Sequence, residues 1–344
     1  MICVITTRII TRGIFCLFFL AVLSFTGCGG AAAASSGTVT IVDYTGKSVE
    51  VPSPVETVIS LSSYASEILC ALDGGDKIVG RDSYSIYPPD LEDVTIVGQS
   101  SYSPNVELIL ELDPDVIIAD TMLSDDNREK IESGGLPVIV IRSGDPKRTM
   151  TIIRDLGTIL DRNERAEELV AFIDRYHSIV EERTADLDEE DKPVVLGEWA
   201  SPWNAATPGT GFGDKIAAAG GICITADETP GTYVVVSSEW VAERKPNVII
   251  FQKSGKNHTR EGLEETRDEI LSRPGLSDVD AVKDGRVYVV TSGVMGGAPS
   301  IISDLHFAKW FHPNLFGDID PEEVHEELVQ EFFGLELEGV YVYP

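Results

Sequence analysis

The sequence predicts an α/β protein with two related lobes, each a mostly parallel sheet flanked by helices, and a ligand cleft between them. The first observation is an internal repeat, in which a short helix stops before a proline and continues into a β-branched strand. The segment NVELILELDPDVII at 105–118 matches SSEWVAERKPNVII at 237–250, with identical residues at six positions. The second observation is that short strands alternate with helices, a pattern typical of βα units and a parallel sheet. The third is a long helical segment, without strand signals, between the two repeats.

A shorter repeat supports the same organisation. VIVIRSG at 138–144 matches VYVVTSG at 287–293 in four of seven positions. The two pairs of repeats have similar offsets, so two related α/β units lie in one chain. Ligands of such paired units bind in the crevice between them, beyond the carboxyl ends of the strands.

We predict that residues 39–149 form the first lobe. It begins with a hairpin over Val39–Val51, where apolar and polar residues alternate around the turn Tyr44–Gly46. Glycine pairs follow two of the predicted helices and indicate where those helices end. Further strands are expected at Val55–Leu61, Ile78–Gly80, Val94–Val97, Val116–Ala119 and Val138–Ile141, and helices at Ala65–Leu72, Val106–Leu112 and Asp125–Ser133.

Residues 150–190 are predicted to link the lobes. Asn163–Leu187 keeps apolar residues at helical spacing and would be a rod of roughly 35 Å, long enough to run the height of a domain. The second lobe then spans residues 191–344 and ends in closing helices. Its expected strands are Val194–Trp199, Ile222–Thr225, Val248–Ile250 and Arg286–Thr291, and its expected helices are Lys215–Ala219, Ser238–Arg244, Ser300–Trp310 and Pro321–Phe333.

The N-terminus is typical of an export signal. Arg8 and Arg12 precede the uncharged apolar run Ile14–Leu23, which is shorter than the about 20 residues of a membrane span. Thr26-Gly27-Cys28 resembles a lipobox, with Cys28 as the lipidated residue, although Phe25 replaces the usual leucine. We therefore predict a signal peptide over 1–27, a lipidated Cys28 with a flexible linker over 28–38, and a location on the outer face of the cytoplasmic membrane. A plain cleaved signal peptide is the alternative.

Composition narrows the possible partners. The chain has 344 residues, a net charge of −30 and a pI near 4.4. Nucleic acid is disfavoured, because phosphate neutralisation requires a basic surface. Cys70 and Cys223 fall in opposite halves and read as small buried hydrophobes rather than a disulfide or a metal site. Asn257 begins an N-glycosylation sequon, which on its own indicates little.

Four groups of residues carry a resemblance to a known family, which covers nearly all of the chain after the signal. These are Glu67 in the helix ASEILCAL, Ser83–Ser85 with Tyr87–Pro89, Asn105–Glu107 with Pro114–Ile118, and Val236–Glu239 with Pro246–Ile250. They resemble the extracytoplasmic solute-binding proteins of ABC importers for chelated metals, which take ferric siderophores, haem and vitamin B12.

The resemblance implies several properties. The two lobes would be joined by one rigid helix and would move little on binding. Glu107 and Glu239 would dock the lobes onto arginines of a permease dimer, which works with its ATPase subunits. The alternative for these carboxylates is a favourable interaction with the helix dipole. A monomer without a cofactor is expected, with a metal chelate as its ligand.

The cleft loops contain aromatic residues together with two arginines. Aromatic faces and a guanidinium suit a large, planar, partly anionic chelate. Trp240 aligns with Leu108 of the first repeat and is assigned to the core. The predicted ligand-binding residues are Tyr64, Arg81, Tyr84, Tyr102, Arg142, Trp199, Trp203, Tyr233 and Met295.

The sequence leaves more than one metal chelate as a possible ligand, and it gives less support to bare-metal binding or to an enzyme. A ferric siderophore is the first ligand expected, and a corrinoid or haem bound by the same fold is the alternative. A bare metal ion would need several ligands from both lobes, and none of the five histidines lies in a first-lobe cleft loop. A secreted α/β enzyme would need a nucleophile elbow, a phosphate-binding loop or a zinc motif, and the sequence has none of these.

Overall fold

The N-terminal lobe of the computed structural model is built on a parallel five-stranded sheet in the order β5-β4-β3-β6-β7. A separate antiparallel hairpin precedes it, as the turn at Tyr44–Gly46 predicts. The structure describes residues 37–142, 146–255 and 258–344. The strands are β1 (Gly37–Val42), β2 (Ser48–Ser53), β3 (Val58–Ser60), β4 (Ile78–Asp82), β5 (Ile96–Gly98), β6 (Val116–Asp120) and β7 (Val138–Ile141), and the helices are α1 (Ser63–Ala71), α2 (Val106–Leu112) and α3 (Asp125–Ser133).

Two helices follow this lobe where the sequence predicts the linking segment. They are α4 (Pro146–Leu160) and α5 (Asn163–Thr184). Helix α4 packs against the hairpin and α1, so it belongs to the first lobe. Gly157 permits the close approach of α4 and α5, because a Cβ there would lie 2.4 Å from the Cβ of Ala166. Helix α5 ends three residues before the predicted end at Leu187, and its 22 residues span about 33 Å.

The second lobe is built on a mixed sheet in the order β11-β9-β8-β12-β13-β14, with β10 paired to β8. The central strands β8, β12 and β13 run parallel, whereas β9, β11 and β14 are antiparallel to their neighbours. The strands are β8 (Val194–Trp199), β9 (Asn204–Ala206), β10 (Ile222–Cys223), β11 (Tyr233–Val235), β12 (Val248–Lys253), β13 (Val287–Thr291) and β14 (Val342–Tyr343). The helices are α6 (Gly211–Ala218), α7 (Ser238–Arg244), α8 (Arg260–Leu271), α9 (Asp280–Lys283), α10 (Ser300–Phe311) and α11 (Pro321–Phe333).

The internal repeat extends to the way its helices begin and end. Asn105 is the N-cap residue of α2, and its side chain accepts a hydrogen bond from the Leu108 amide. Ser237 caps α7 in the same way. Both helices end in a left-handed residue, Asp113 with φ 45° and Lys245 with φ 47°. Each left-handed residue stands immediately before the proline that closes the helix. The two α/β units therefore share their local geometry as well as their sequence.

One hydrophobic core joins the two lobes. It runs from the hairpin and α1 through α4 and α5 to α6 and α10, and each lobe has a second cluster on the other face of its sheet. Helix α11 crosses back to contact α1, and the Phe332 ring lies 5.7 Å from the Phe172 ring on α5. The last helix therefore closes against the first lobe and the linking helix. The predicted fold class is confirmed.

Candidate functional site

The cleft lies where the carboxyl ends of the strands in the two lobes meet. Tyr64, four residues after β3, packs against Gly296 and Gly297, which follow β13. A Cβ at Gly296 would lie 2.6 Å from the Tyr64 ring, so the glycine pair permits this approach. The neighbouring Glu67 is buried, and its carboxylate lies close to Gly297. Burial, followed by the charge of Glu67, raises the pKa of the Tyr64 hydroxyl.

Arg142 makes a second contact across the cleft. Its guanidinium donates to the Tyr44 hydroxyl at 2.7 Å and to the backbone carbonyl of Gly209 in the second lobe. The hydrogen bond from Arg142, followed by one from Arg148, lowers the pKa of the Tyr44 hydroxyl. Arg142, which the sequence assigns to ligand binding, therefore connects the hairpin and the second lobe to the first lobe.

Arg81 does not present a cation to the cleft as predicted. Its side chain is 4% exposed and donates to the carbonyls of Asp82, at 3.1 Å, and Glu92, at 2.9 Å. The guanidinium thereby fixes the 3₁₀ turn Pro89–Asp93 onto the end of β4. Both hydrogen bonds are made to backbone carbonyls of the same lobe.

Met295, which the sequence assigns to ligand binding, is buried in the structure. It follows the 3₁₀ turn Ser292–Val294 and is 6% exposed. Its thioether packs into the core that joins the two lobes. The chain reaches the cleft only at the two glycines that follow it, which contact α1.

The second lobe presents an aromatic pair. Trp199 ends β8, and its ring centroid lies 4.9 Å from that of Tyr233, with the planes inclined by 33°. Trp199 remains 41% exposed, so one face of the pair is accessible. Burial raises the pKa of Tyr233 to about 12, so its hydroxyl stays neutral at physiological pH.

The first lobe contributes two exposed tyrosines. Tyr84 is 46% exposed and accepts a hydrogen bond from the Gln99 side chain at 3.3 Å. Tyr102 is 75% exposed. Both follow strands of the first sheet at their carboxyl ends, as the sequence predicts. Together with the pair in the second lobe, they provide aromatic surface in both lobes.

Trp203 lies apart from this pair, although it is only four residues from Trp199. Its ring stands 5.0 Å from the Arg273 guanidinium and packs against the outer core of the second lobe. Its backbone amide donates to the Glu198 carboxylate at 2.6 Å. The structure thus places Trp203 behind the cleft loop rather than beside Trp199.

Sequence reasoning missed a polar layer at the end of the first sheet. The Ser66 hydroxyl lies within hydrogen-bond distance of the hydroxyls of Ser60, at 2.8 Å, and Ser85, at 2.7 Å, and all three serines are buried. Asp120 lies at the end of β6, where burial raises its pKa. The only sequence signal for this layer is the run of small polar residues after each strand. The layer holds the start of α1, which carries Tyr64, and the loop that carries Tyr84.

The two predicted docking glutamates lie on equivalent helices. Glu107 stands in the first turn of α2 and Glu239 in the first turn of α7, and both side chains are exposed. The pKa of Glu239 is lowered, first by its own backbone amide and then by the hydroxyls of Ser237 and Ser238. Their geometry suits either a helix-dipole interaction or a contact with a cationic partner.

Some of the predicted features lie outside the residues that the structure describes, and others lie within them. The signal peptide, Cys28 and Asn257 lie outside them. Among the described residues, none of the helices combines the length and apolar character needed to cross a membrane. The same part of the chain holds no group of three or more His, Cys, Asp or Glu side chains suited to a metal ion. A groove of about 490 Å³ lies beside the hairpin and shares Arg142 with the edge of the cleft.

Comparisons with known proteins agree with this architecture. An ABC transporter substrate-binding lipoprotein of Bacillus subtilis, YvrC, is 24% identical over 88% of this chain and 98% of its own length. A cobalamin-binding protein of Halobacterium salinarum is 27% identical over 81% of this chain and 75% of its own length. The molybdate-bound periplasmic protein MolA of Haemophilus influenzae has the same fold, with a TM-score of 0.74 at 20% identity, covering 87% of this chain and 99% of its own.

The family assignment rests on the greater part of the chain. The model of the periplasmic binding protein family matches residues 58–293, from the first strand of the parallel sheet to the loop after β13. This range includes the parallel strands of both lobes, the linking helices and the cleft residues from Tyr64 to Tyr233. The resemblance stated from the sequence is confirmed, and the chain belongs to the periplasmic binding protein family.

Proposed function

We propose that the protein is the extracytoplasmic substrate-binding component of an ABC importer and that its cleft takes a planar, uncharged metal chelate, with a corrinoid as the first candidate. The observation that carries the ligand assignment is that Arg81 and Arg142 are engaged within the protein, whereas the Trp199–Tyr233 pair remains accessible. Aromatic faces bind planar apolar ligands without requiring charge. An anionic siderophore would pair best with a cation at the cleft, and both predicted guanidiniums already donate to groups of the protein.

The relatives support this order of candidates. The Halobacterium protein that matches most of this chain is named for cobalamin, and YvrC is named as an ABC substrate-binding lipoprotein. MolA binds molybdate, a small oxyanion. An oxyanion needs converging donors, and the described guanidiniums at the cleft donate to backbone carbonyls and a tyrosine instead. A ferric siderophore and haem remain the alternatives to a corrinoid.

A titration tests the ligand class. The purified protein is mixed with cyanocobalamin, haemin or a ferric siderophore, while the visible absorption and the tryptophan fluorescence are recorded. Saturable one-to-one binding of cobalamin, with quenching of Trp199, is the expected result. Tight binding of the ferric siderophore without binding of cobalamin would contradict the proposal. Binding of none of the three would contradict the chelate-binding function itself.

We propose a permease dimer as the partner of the surface that carries Glu107 and Glu239. Glu107 and Glu239 place one carboxylate on each lobe, on helices related by the internal repeat. A two-fold permease would offer two equivalent cationic sites to them, and such charges govern orientation and association rate. The acidity of the chain, at −30, favours a basic partner surface in general.

Anchoring through Cys28 completes the proposed function. It is supported by the Thr26-Gly27-Cys28 motif and by the lipoprotein relative. Cys28→Ser should give an exported protein that no longer sediments with membranes, whereas the wild type should incorporate labelled fatty acid. Wild-type protein that is free in the medium, or that retains residues 1–27, would contradict lipidation.

A further inference from the structure

A buried ion pair stands behind the cleft loop of the second lobe. Arg273 donates to both carboxylate oxygens of Glu198, at 2.6 and 2.8 Å, and Glu198 has no solvent-exposed surface. The two residues lie 75 positions apart in the chain. Burying two charges carries a large desolvation penalty, so the pair adds little to stability compared with an apolar replacement. Its contacts indicate that it orders the structure around it.

Both members of the pair contact Trp203. The Glu198 carboxylate accepts the Trp203 amide at 2.6 Å, and the Arg273 guanidinium lies 5.0 Å from the centre of the Trp203 ring. Trp203 has φ 68° and Ala200 has φ 61°, a left-handed conformation that side chains other than glycine seldom adopt. Such conformations persist only where the surroundings fix them. The loop that these residues form begins directly after Trp199, the accessible member of the aromatic pair.

The same cluster contacts the helix that carries Glu239. The Trp203 carbonyl accepts the Val236 amide at 2.9 Å, and Val236 immediately precedes the residue that caps α7. Gly275 lies two residues after Arg273, and a Cβ at this glycine would lie 3.4 Å from Ser238 in the first turn of α7. The turn at Arg273 therefore lies between the cleft loop and the proposed docking helix.

We infer that Arg273 is a positioning residue, which fixes the cleft loop at Trp199 and the start of the docking helix α7 relative to each other. The names of these two surfaces rest on the proposed function, but the contacts do not. Without the guanidinium, the left-handed turn at Trp203 loses the cation that faces its ring, and the buried carboxylate of Glu198 that accepts its amide is left uncompensated. The loop and the start of α7 then become mobile together.

The test uses Arg273→Met, with Lys215→Met as its matched control. Lys215 forms a buried ion pair with Asp304 at 2.8 Å in the same lobe, between α6 and α10. Each variant removes the cation of one buried ion pair in the second lobe. Hydrogen exchange of the backbone amides is measured without ligand, at a temperature where both variants are folded. We expect the amides of Trp203 and Val236 to exchange about tenfold faster in Arg273→Met and at wild-type rates in Lys215→Met.

Either of two results would overturn the inference. Unchanged exchange at both amides in Arg273→Met would show that the turn holds itself. Equal acceleration in Lys215→Met would show a general loss of stability. If Arg273→Met fails to fold, Arg273→Lys decides instead, because lysine keeps the charge but lacks the planar face over Trp203. About threefold faster exchange at these amides supports the role, and wild-type rates contradict it.

Binding of cyanocobalamin provides a second measurement. We expect about tenfold weaker binding in Arg273→Met and less than a twofold change in Lys215→Met. Wild-type affinity in Arg273→Met would contradict control of the cleft loop. Failure of the wild-type protein to bind cobalamin, haemin or a ferric siderophore would contradict the proposed function, and the exchange measurement would still decide the role of Arg273.

Discussion

Arg142 in the first lobe donates a hydrogen bond to the backbone carbonyl of Gly209 in the second. The same guanidinium donates to Tyr44 at 2.7 Å, in the turn of the N-terminal hairpin. Three distant segments thus meet at one edge of the cleft. This contact adds to the continuous core along α5 that joins the two lobes.

We expect Arg142→Met to lower the free energy of unfolding by about 1–2 kcal/mol, because hydrogen bonds from a charged donor contribute about this much. Urea unfolding measures the change. Tyr44→Phe provides the control background, since it removes the hydroxyl that hydrogen-bonds Arg142 and Arg148 and keeps the bond from Arg142 to Gly209. In that background Arg142→Met should still lower the free energy of unfolding, and no further loss would mean that the Gly209 bond contributes nothing.

Trp199→Ala should weaken chelate binding by about 1–3 kcal/mol, the contribution of one well-buried aromatic contact. Fluorescence titration with cyanocobalamin measures this. Trp240→Ala is the control, because its ring lies under Arg244 at 3.8 Å on α7, away from the aromatic pair. Unchanged affinity in Trp199→Ala, or equal losses in both variants, would place the ligand elsewhere.

Replacing Glu107 and Glu239 together by alanine should abolish stimulation of ATP hydrolysis by the reconstituted transporter, while ligand affinity and melting temperature barely change. The physical reason is the loss of one docking charge on each lobe. The internal repeat offers a matched control, since Glu111 and Glu243 are equally exposed one turn further along α2 and α7. Normal stimulation by the first double variant would return Glu107 and Glu239 to the helix-dipole role.

The protein should lose stability as the pH falls from about 6.5 towards 4. Burial lowers the pKa of His325 from 6.5 to about 4 and that of His306 to about 3. Between these values the unfolded chain takes up protons that the folded chain does not, so the free energy of unfolding decreases with falling pH. Each histidine should contribute about 1–2 kcal/mol to this loss at pH 5.

His325→Phe isolates the contribution of one histidine. The ring of His325 packs edge-on against Tyr341 at 4.6 Å, a position that an aromatic hydrocarbon can fill. Urea unfolding at pH 7.5 and pH 5 should show a smaller pH-dependent loss for the variant than for the wild type. The comparison within each protein cancels the effect of its many carboxylates. Equal losses would show that His325 titrates alike in both states.

Much of the fold could be predicted from local sequence. The helices α2 and α7 and the strands after them follow from the apolar spacing, the capping residues and the prolines, which act within a few positions of one another. The rule that ligands lie beyond the carboxyl ends of parallel strands also identified the loops of Tyr84, Tyr102 and Trp199. These features depend on residues that are close together in the chain, so they can be predicted from the sequence alone.

The tertiary structure decided the burial and the hydrogen-bond partners of individual side chains in those loops. Arg81 and Arg142 are both arginines at the ends of strands. Arg81 is nevertheless buried against the carbonyl of Glu92, whereas Arg142 reaches the carbonyl of Gly209 in the second lobe. Met295 is buried because the core of the two lobes passes beneath its loop. A strand's position in the sequence does not specify which distant backbone its side chains will meet.

The same distinction applies to the largest elements. Asp320 and Pro321 predict the start of a closing helix over Pro321–Phe333, but its contact with Phe172 and α1 depends on where the second lobe ends in space. The Glu198–Arg273 pair likewise joins residues far apart in the chain. The sequence by itself determined two related α/β units and the loops at their cleft. Only the tertiary structure decided which charges remain available there, because burial and hydrogen bonding between distant segments determine whether a charged group can reach a ligand.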